Sequence, residues 1–561
     1  MGADRAAAGD LRRRVARLLV IRASGHLSDG QRRYPRWEHD NASLRRLLGE
    51  GVGGVILLGG SAAELRLRTR QLEAWSTTPL LLCADVEEGV GQRFEGASWL
   101  VPPLAVGRLR REDPDGAAAL AERYGRCCGR EARQLGLNWV LAPVCDVNNN
   151  PANPVINVRA WGEDADTCGV LAGAFLRGAQ AEGVLCCAKH FPGHGDTGVD
   201  SHLELPLLPH DLERLEAVEL PPFRAAIAAG VATVMTAHLL LPALDAERPA
   251  TLSPRVLSGL LRRRMGFGGL IVTDALVMEA IAGRCGAGEA AVLALEAGAD
   301  LVLMPGDADT AIDAIVAAVG SGRLSVERLE ESLERRRRAL ESTRAATAGA
   351  VPPPASAAAA DLPAARPLGP LSNGPCREDR ELAVELVRRS LECRGPGLAA
   401  APGGGVNLIR ADTLPGSPFL PAGAPALDLP ARAGFRPLLV EARTPSPWRC
   451  GGGDPGEEPL ALERLGEGKV LLQLFVRGNP FLGTAAGREP WEAVLRQLQR
   501  AGRLAGLAVY GTPYLWESLR PLLGEGIPAG WSPGQMPLAQ AELLGRMGLE
   551  QGAEPREGFT D

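Results

Sequence analysis

Lysine is almost absent from this chain. Of 61 basic residues in 561, two are lysines, Lys189 and Lys469, and the rest are arginines. Long apolar runs are also missing. None approaches the roughly 18 residues of a membrane span, and "LLVI" near residue 20 is shorter than the ~7–15 residues of a secretion-signal core. The expectation is a cytoplasmic protein with no membrane partner, its N-terminal stretch forming an amphipathic helix that enters a strand. Aromatic residues make up 4% and the net charge is -6. With no basic stripe carrying interleaved aromatics, nucleic acid is not an expected partner. The eleven cysteines are an odd number. Cys127–Cys128 and Cys186–Cys187 are adjacent and no C-x-x-C occurs, a pattern that fits reduced core residues better than disulfides or a metal site.

What is present is 45% hydrophobic and 23% charged, the balance of a soluble globular protein long enough for two domains. From residue 50 to 305 short apolar runs recur: "GGVILL", "LLLCAD", "NWVLAP", "VLCCAKH", "TVMTAH", "LIVTDA" and "LVLMP". Helically periodic segments such as "DGAAALAERYGRCCGREARQLG" separate them. With "LLVI" these make eight continuously apolar strands alternating with helices, which predicts a parallel sheet closed as a (β/α)8 TIM barrel over residues 1–343. An Ala/Pro-rich stretch, 344–375, reads as a semi-extended linker. Residues 376–561 read as a second α/β domain, a sandwich with strands in "GVNLIRAD", "RPLLVEAR", "GKVLLQLFVRG" and "LAGLAVYG".

The chemistry-bearing residues are sorted by position. Asp85, Lys189, His190, His238 and Asp274 all fall at or just beyond the C-terminal end of a predicted strand, the face on which barrel enzymes carry their sites. The densest group is "KHFPGHGDTGVDSH", residues 189–202, with one lysine, three histidines and two aspartates. Its glycines and Pro192 exclude helix and central strand, so these groups sit on a loop. A lysine kept here, where arginine serves almost everywhere else, points to a need for a compact ammonium. Asp200 stands two residues before His202, so its carboxylate can fix one ring nitrogen and leave the other to exchange protons near neutral pH. Asp274, after a wholly apolar strand, is a candidate nucleophile of the kind a retaining glycosidase uses. A metal at His190, His194, Asp196 and His202 is the alternative, disfavoured because Pro192 and Gly193 forbid the helical display that would aim the first two together; no metal and no cofactor are expected.

The motif "KHFPGHGDTGVDSH", with "MTAH", "ATLSP", "LLRRRMGFGGLIVTDALVMEAI" and "ALEAGADLVLMPG" in the same order, resembles glycoside hydrolase family 3 in its β-N-acetylglucosaminidase branch. "WSPGQMPLAQAELLG" resembles the family's second-domain pattern more loosely. The resemblance implies a retaining exo-glycosidase with Asp274 as nucleophile, His202 as general acid/base partnered by Asp200, and Asp85, Arg93, Arg159, Lys189 and His190 holding a small saccharide. His238 either lines the sugar pocket or fills the barrel's top layer. The third-strand motif departs from the family: "DVEEGVGQR" has Glu88 where the first glycine is usual and Val90 where the first arginine is, and "RAWG" replaces "RSFG". The competing expectations are a phosphorylase or β-glucosidase on the same fold, and a non-catalytic sugar-binding protein.

Overall fold

The computed structural model describes residues 2–201, 203–348, 374–411, 418–441, 448, 458–477 and 489–549. They form two compact units, Met1–Leu382 and Ala383–Asp561.

The first unit is built on eight parallel strands: β1 (Leu19–Ser24), β2 (Gly54–Leu58), β3 (Leu81–Ala84), β4 (Trp139–Val140), β5 (Leu185–Phe191), β6 (Thr233–Thr236), β7 (Leu270–Val272) and β8 (Val302–Leu303). They pair in sequence order, β8 also pairs with β1, and a bridge from Val272 to Leu301 brings β7 to β8 and nearly closes the ring. Each predicted strand is present. Their apolar runs are continuous because both faces are covered, by helices outside and by facing strands inside. Trp139 spans the interior and donates its Nε1–H to Thr233 Oγ1 at 2.9 Å.

Short polar residues start the outer helices. The side chains of Asp40, Ser61, Asp113, Asp164 and Asp307 accept backbone N–H bonds from Ser43, Glu64, Gly116, Thr167 and Thr310, satisfying donors that the helix itself leaves open. At the β7–β8 junction fully buried Asp300 gathers Arg262, Arg328 and Arg335, with Ser332 Oγ and Ile271 N bonded to it at 2.9 Å each. The final barrel helix runs Val326–Ala348, past the start predicted for the linker, and 349–373 lie outside the described residues. No helix among the described residues is long and apolar enough to cross a membrane.

The second unit holds a six-stranded sheet of β9 (Glu392–Arg394), β10 (Gly405–Ala411), β11 (Phe435–Val440), β12 (Val470–Val476), β13 (Leu504–Gly511) and β14 (Ala529–Ser532). Its order is β11-β10-β12-β13-β14-β9, parallel throughout save for β9. Val494, Leu498 and Trp516, from helices Trp491–Arg500 and Pro513–Leu519, join Leu408, Leu472, Leu474 and Val509 of the sheet in one apolar cluster. The four strands read from sequence are β10 to β13. The short β9 and β14 and the helices Pro425–Arg432 and Pro537–Arg546 are additions.

Candidate active site at the barrel mouth

Strand geometry sets the site. Side chains two residues apart on extended backbone share a face, so Cys83 on β3 and Asp85 just past its end point the same way, as do Cys187 and Lys189 on β5. Lys189 Nζ meets Asp85 Oδ1 at 2.7 Å and Glu87 Oε1 at 2.6 Å. Glu87 is in turn clasped by Arg159, whose Nε and Nη2 donate to its two oxygens at 2.8 Å each. Arg159 Nη1 donates to Val155 O, which fixes the guanidinium at a third point. Arg93 Nε donates to the Asp85 carbonyl at 2.9 Å. Four of the residues expected from sequence, Asp85, Arg93, Arg159 and Lys189, are therefore one bonded network, and Glu87 is its centre.

The electrostatics follow from burial and pairing. Glu87 is 3% exposed. Burial alone would raise its pKa, but Arg159 and Lys189 outweigh that and hold the carboxyl well below the usual range. Burial works to lower Lys189, and Asp85 and Glu87 reverse it, leaving the ammonium above its ordinary value. These groups stay charged across the physiological range. Such an array can order sugar hydroxyls through charge-assisted hydrogen bonds.

A second network holds the end of β5, which extends through Lys189 and His190 where a loop was expected, and the loop after it; the Lys189–His190 and Phe191–Pro192 peptides there and Ala142–Pro143 just past β4 are cis. Fully buried Asp146 accepts the backbone N–H of His190 at 3.1 Å and of His194 at 2.8 Å, and the His190 Nδ1–H at 2.7 Å. Asp146 thereby fixes the orientation of the His190 ring through Nδ1. Asn153 donates to the carbonyls of His194 and Gly195, both at 2.9 Å. Gly195 must be glycine, because a Cβ there would lie 1.7 Å from Val147 O. His194 bonds Thr197 Oγ1 through Nδ1 at 2.7 Å and Ser201 Oγ through Nε2 at 3.0 Å, and burial drives it down to about 4. Further along, Asp196 accepts from His210 Nε2 at 2.9 Å and from Arg214 Nη2 at 3.2 Å. Asp200 is 5% exposed and its carbonyl accepts from Leu203 N and Glu204 N. His202 lies outside the described residues.

Asp274 stands two residues past β7, half-buried, with Oδ1 accepting the Ala275 N–H at 2.7 Å and its own N–H 3.4 Å from Thr236 Oγ1. His238 is fully buried. It donates from Nε2 to Ala275 O at 3.0 Å and meets Thr251 Oγ1 through Nδ1 at 2.8 Å, and Thr251 is bonded to Thr236. Both ring nitrogens are spent on protein, and the chain Thr236–Thr251–His238 braces the segment that carries Asp274. Asp274 also acts electrically on Cys187 of β5 and on His194, which places its carboxylate on the same side of the barrel as the loop.

The sequence reading missed Glu87, Asp146, Asn153 and the threonine brace. Glu87 was visible inside "DVEEG", yet its partners lie far along the chain. Of the four residues weighed as a metal site, the three that are described do not converge: His190 bonds Asp146, His194 bonds two hydroxyls, and Asp196 faces His210 and Arg214.

Comparison with known proteins agrees with this architecture. Residues 10–339 match the model described as glycosyl hydrolase family 3 N terminal domain, and 401–547 the model described as bacterial glycosyl hydrolase family 3 C-terminal domain. A β-N-acetylglucosaminidase/β-glucosidase of Cellulomonas fimi is 34% identical over 51% of this chain and 51% of its own length, so this chain spans about half of that relative. A β-hexosaminidase of Stenotrophomonas maltophilia strain K279a is 37% identical over 47% of this chain and 80% of its own. The solved structure of a family 3 β-N-acetylglucosaminidase from Paenibacillus sp. str. FPU-7 superposes with a TM-score of 0.73 at 30% identity, covering 96% of each chain. An eight-stranded parallel barrel, a separate α/β sheet unit and both domain matches give one conclusion: the chain belongs to glycosyl hydrolase family 3.

Proposed function

We propose that the protein is a retaining exo-glycosidase that releases terminal β-linked N-acetylglucosamine from small saccharides or cell-wall fragments. The observation that carries this reading is the Asp85–Lys189–Glu87–Arg159 network, a rigid set of charged donors and acceptors sharing the barrel mouth with a braced carboxylate, Asp274. The likeness to the Cellulomonas β-N-acetylglucosaminidase/β-glucosidase and to the Paenibacillus β-N-acetylglucosaminidase supports the choice of sugar.

In this reading Asp85, Lys189, Arg93 and Arg159 hold the terminal sugar's hydroxyls, and His190 holds a further one. The Asp274 carboxylate attacks the anomeric carbon as the glycosidic bond breaks. His202, with its tautomer set by Asp200, gives its proton to the departing oxygen. The resulting glycosyl-aspartate ester is cleaved by water, whose proton returns to His202. His238 acts through the Asp274 segment, not on the sugar.

Two measurements test the scheme. A 2-fluoro aryl glycoside should add one glycosyl mass to the Asp274 peptide of the wild type and none to Asp274→Ala, which should also lose activity by at least ~10^4-fold. His202→Ala should spare aryl glycosides with good leaving groups and lose ~10^2–10^4-fold on poor ones. Equal losses on both, or a label on another residue, would overturn the assignment. Formation of a sugar 1-phosphate when phosphate is added would make the enzyme a phosphorylase instead.

A further inference from the structure

One group at the barrel mouth has no part in the scheme above. Arg22 lies on β1, where its register partner on β2 is Ile56, and Ile56 is in turn the partner of Cys83 on β3. Register partners in a parallel sheet point to the same face. Cys83 shares its face with Asp85, which bonds Lys189 within the mouth, so Arg22 also points inward, one residue pair below the level of Asp85. Its long side chain then rises toward the mouth.

The surroundings fix the guanidinium without satisfying it. Tyr34 and Trp37, both half-buried on the loop after β1, have ring centroids 5.0 Å and 6.0 Å from Arg22 Cζ. The nearest carboxylate oxygen, Glu38 Oε1, is 3.8 Å from Nη2, beyond hydrogen-bond reach, and that oxygen is itself buried without a hydrogen-bond partner. Among the described residues no acceptor is hydrogen-bonded to the Arg22 guanidinium, while its side chain keeps 16% exposure. Burial works against its charge. Glu38 and Asp85 favour it, and Arg93 opposes it, so Asp85 and Arg93 are its electrical neighbours on the pocket side.

We infer that Arg22 is a substrate-binding residue that determines specificity: with its plane set by Tyr34 and Trp37, it donates to ring-substituent oxygens of the terminal sugar on the side held by Asp85. Unspent in-plane donors of a guanidinium suit two neighbouring oxygen acceptors. Because Glu38 and Asp85 already oppose its charge, those oxygens can belong to a neutral sugar. This inference rests on the proposed glycosidase reading for the placement of the sugar.

A substrate–variant cycle tests it. Wild type, Arg22→Met and Arg22→Lys are assayed on nitrophenyl β-N-acetylglucosaminide and on its 3-, 4- and 6-deoxy forms. Arg22→Met should lower kcat/KM on the parent about 10–100-fold. It should be indifferent to the deoxygenations that remove an Arg22 acceptor, one or two neighbouring positions that each cost the wild type activity, and as sensitive as the wild type to the rest. Arg22→Lys should recover part of the loss, mainly in KM. A uniform loss by Arg22→Met on all four substrates, or no loss, would overturn the inference, and matched melting curves exclude simple unfolding. Monosaccharide binding, read by tryptophan fluorescence, repeats the cycle without turnover. If the wild type binds sugars with this pattern yet cleaves none, the hydrolase reading fails and the Arg22 assignment stands.

Discussion

Replacing Glu87 by Gln probes the network on which the site is built. The side chain is 3% exposed and carries three close charged contacts, two from Arg159 at 2.8 Å and one from Lys189 at 2.6 Å. Removing one partner of a buried ion pair costs about 3–5 kcal/mol because the other charge is left uncompensated. Lys189 keeps Asp85 at 2.7 Å, so the lower end applies, about 3 kcal/mol. At about 2 °C per kcal/mol for a large domain this lowers the melting point by about 6 °C. The pH dependence supplies the sharper criterion. The folded-state carboxyl is held below its unfolded value, so its contribution is complete above the unfolded value near 4.3 and is lost as pH falls toward the folded one. The gap between wild type and Glu87→Gln should therefore be flat from pH 8 to 5 and shrink below about 4.3, by up to about 1.4 kcal/mol per pH unit. Denaturant melts of both proteins from pH 3.5 to 8 measure it. A gap under about 1 kcal/mol, or one that widens toward acid, would refute the account of Glu87 as an ionised hub.

Two further outcomes are expected. His194 is driven to about 4 by burial, so the unfolded chain takes up its proton first, near 6.5, and the stability this neutral histidine confers is present above that pH and lost between 6.5 and 4. The wild type should accordingly lose stability faster than His194→Asn across that window, and parallel curves would refute the assignment. Asp300→Asn leaves Arg262, Arg328 and Arg335 around a neutral amide. It should cost about 3 kcal/mol or more, seen as a lower denaturation midpoint, with KM on any accepted aryl glycoside unchanged because the cluster lies at the β7–β8 junction away from Asp274.

The barrel was legible because its strands are buried on both faces and so appear as unbroken apolar runs, several of them followed closely by a polar residue. β9 and β14 were not, being three and four residues long and lacking a repeat to recognise. The helix Val326–Ala348 runs beyond the predicted linker start because its last residues, "STRAATA", carry alanines that favour helix.

Sequence alone determined which residue types stand at the strand ends: a lysine preserved at 189, an aspartate after β7, and a glycine-rich loop displaying histidines. It could not determine their partners. Glu87 and Arg159 are 72 residues apart, and Asp146 and His190 are 44 apart. Their pairing depends on barrel closure, which brings the ends of β3, β4 and β5 to one mouth, and on burial, which makes each unpaired charge too costly to leave. That closure also turned His238 toward Ala275 and Thr251, and placed Arg22, an ordinary arginine by sequence, beneath Asp85.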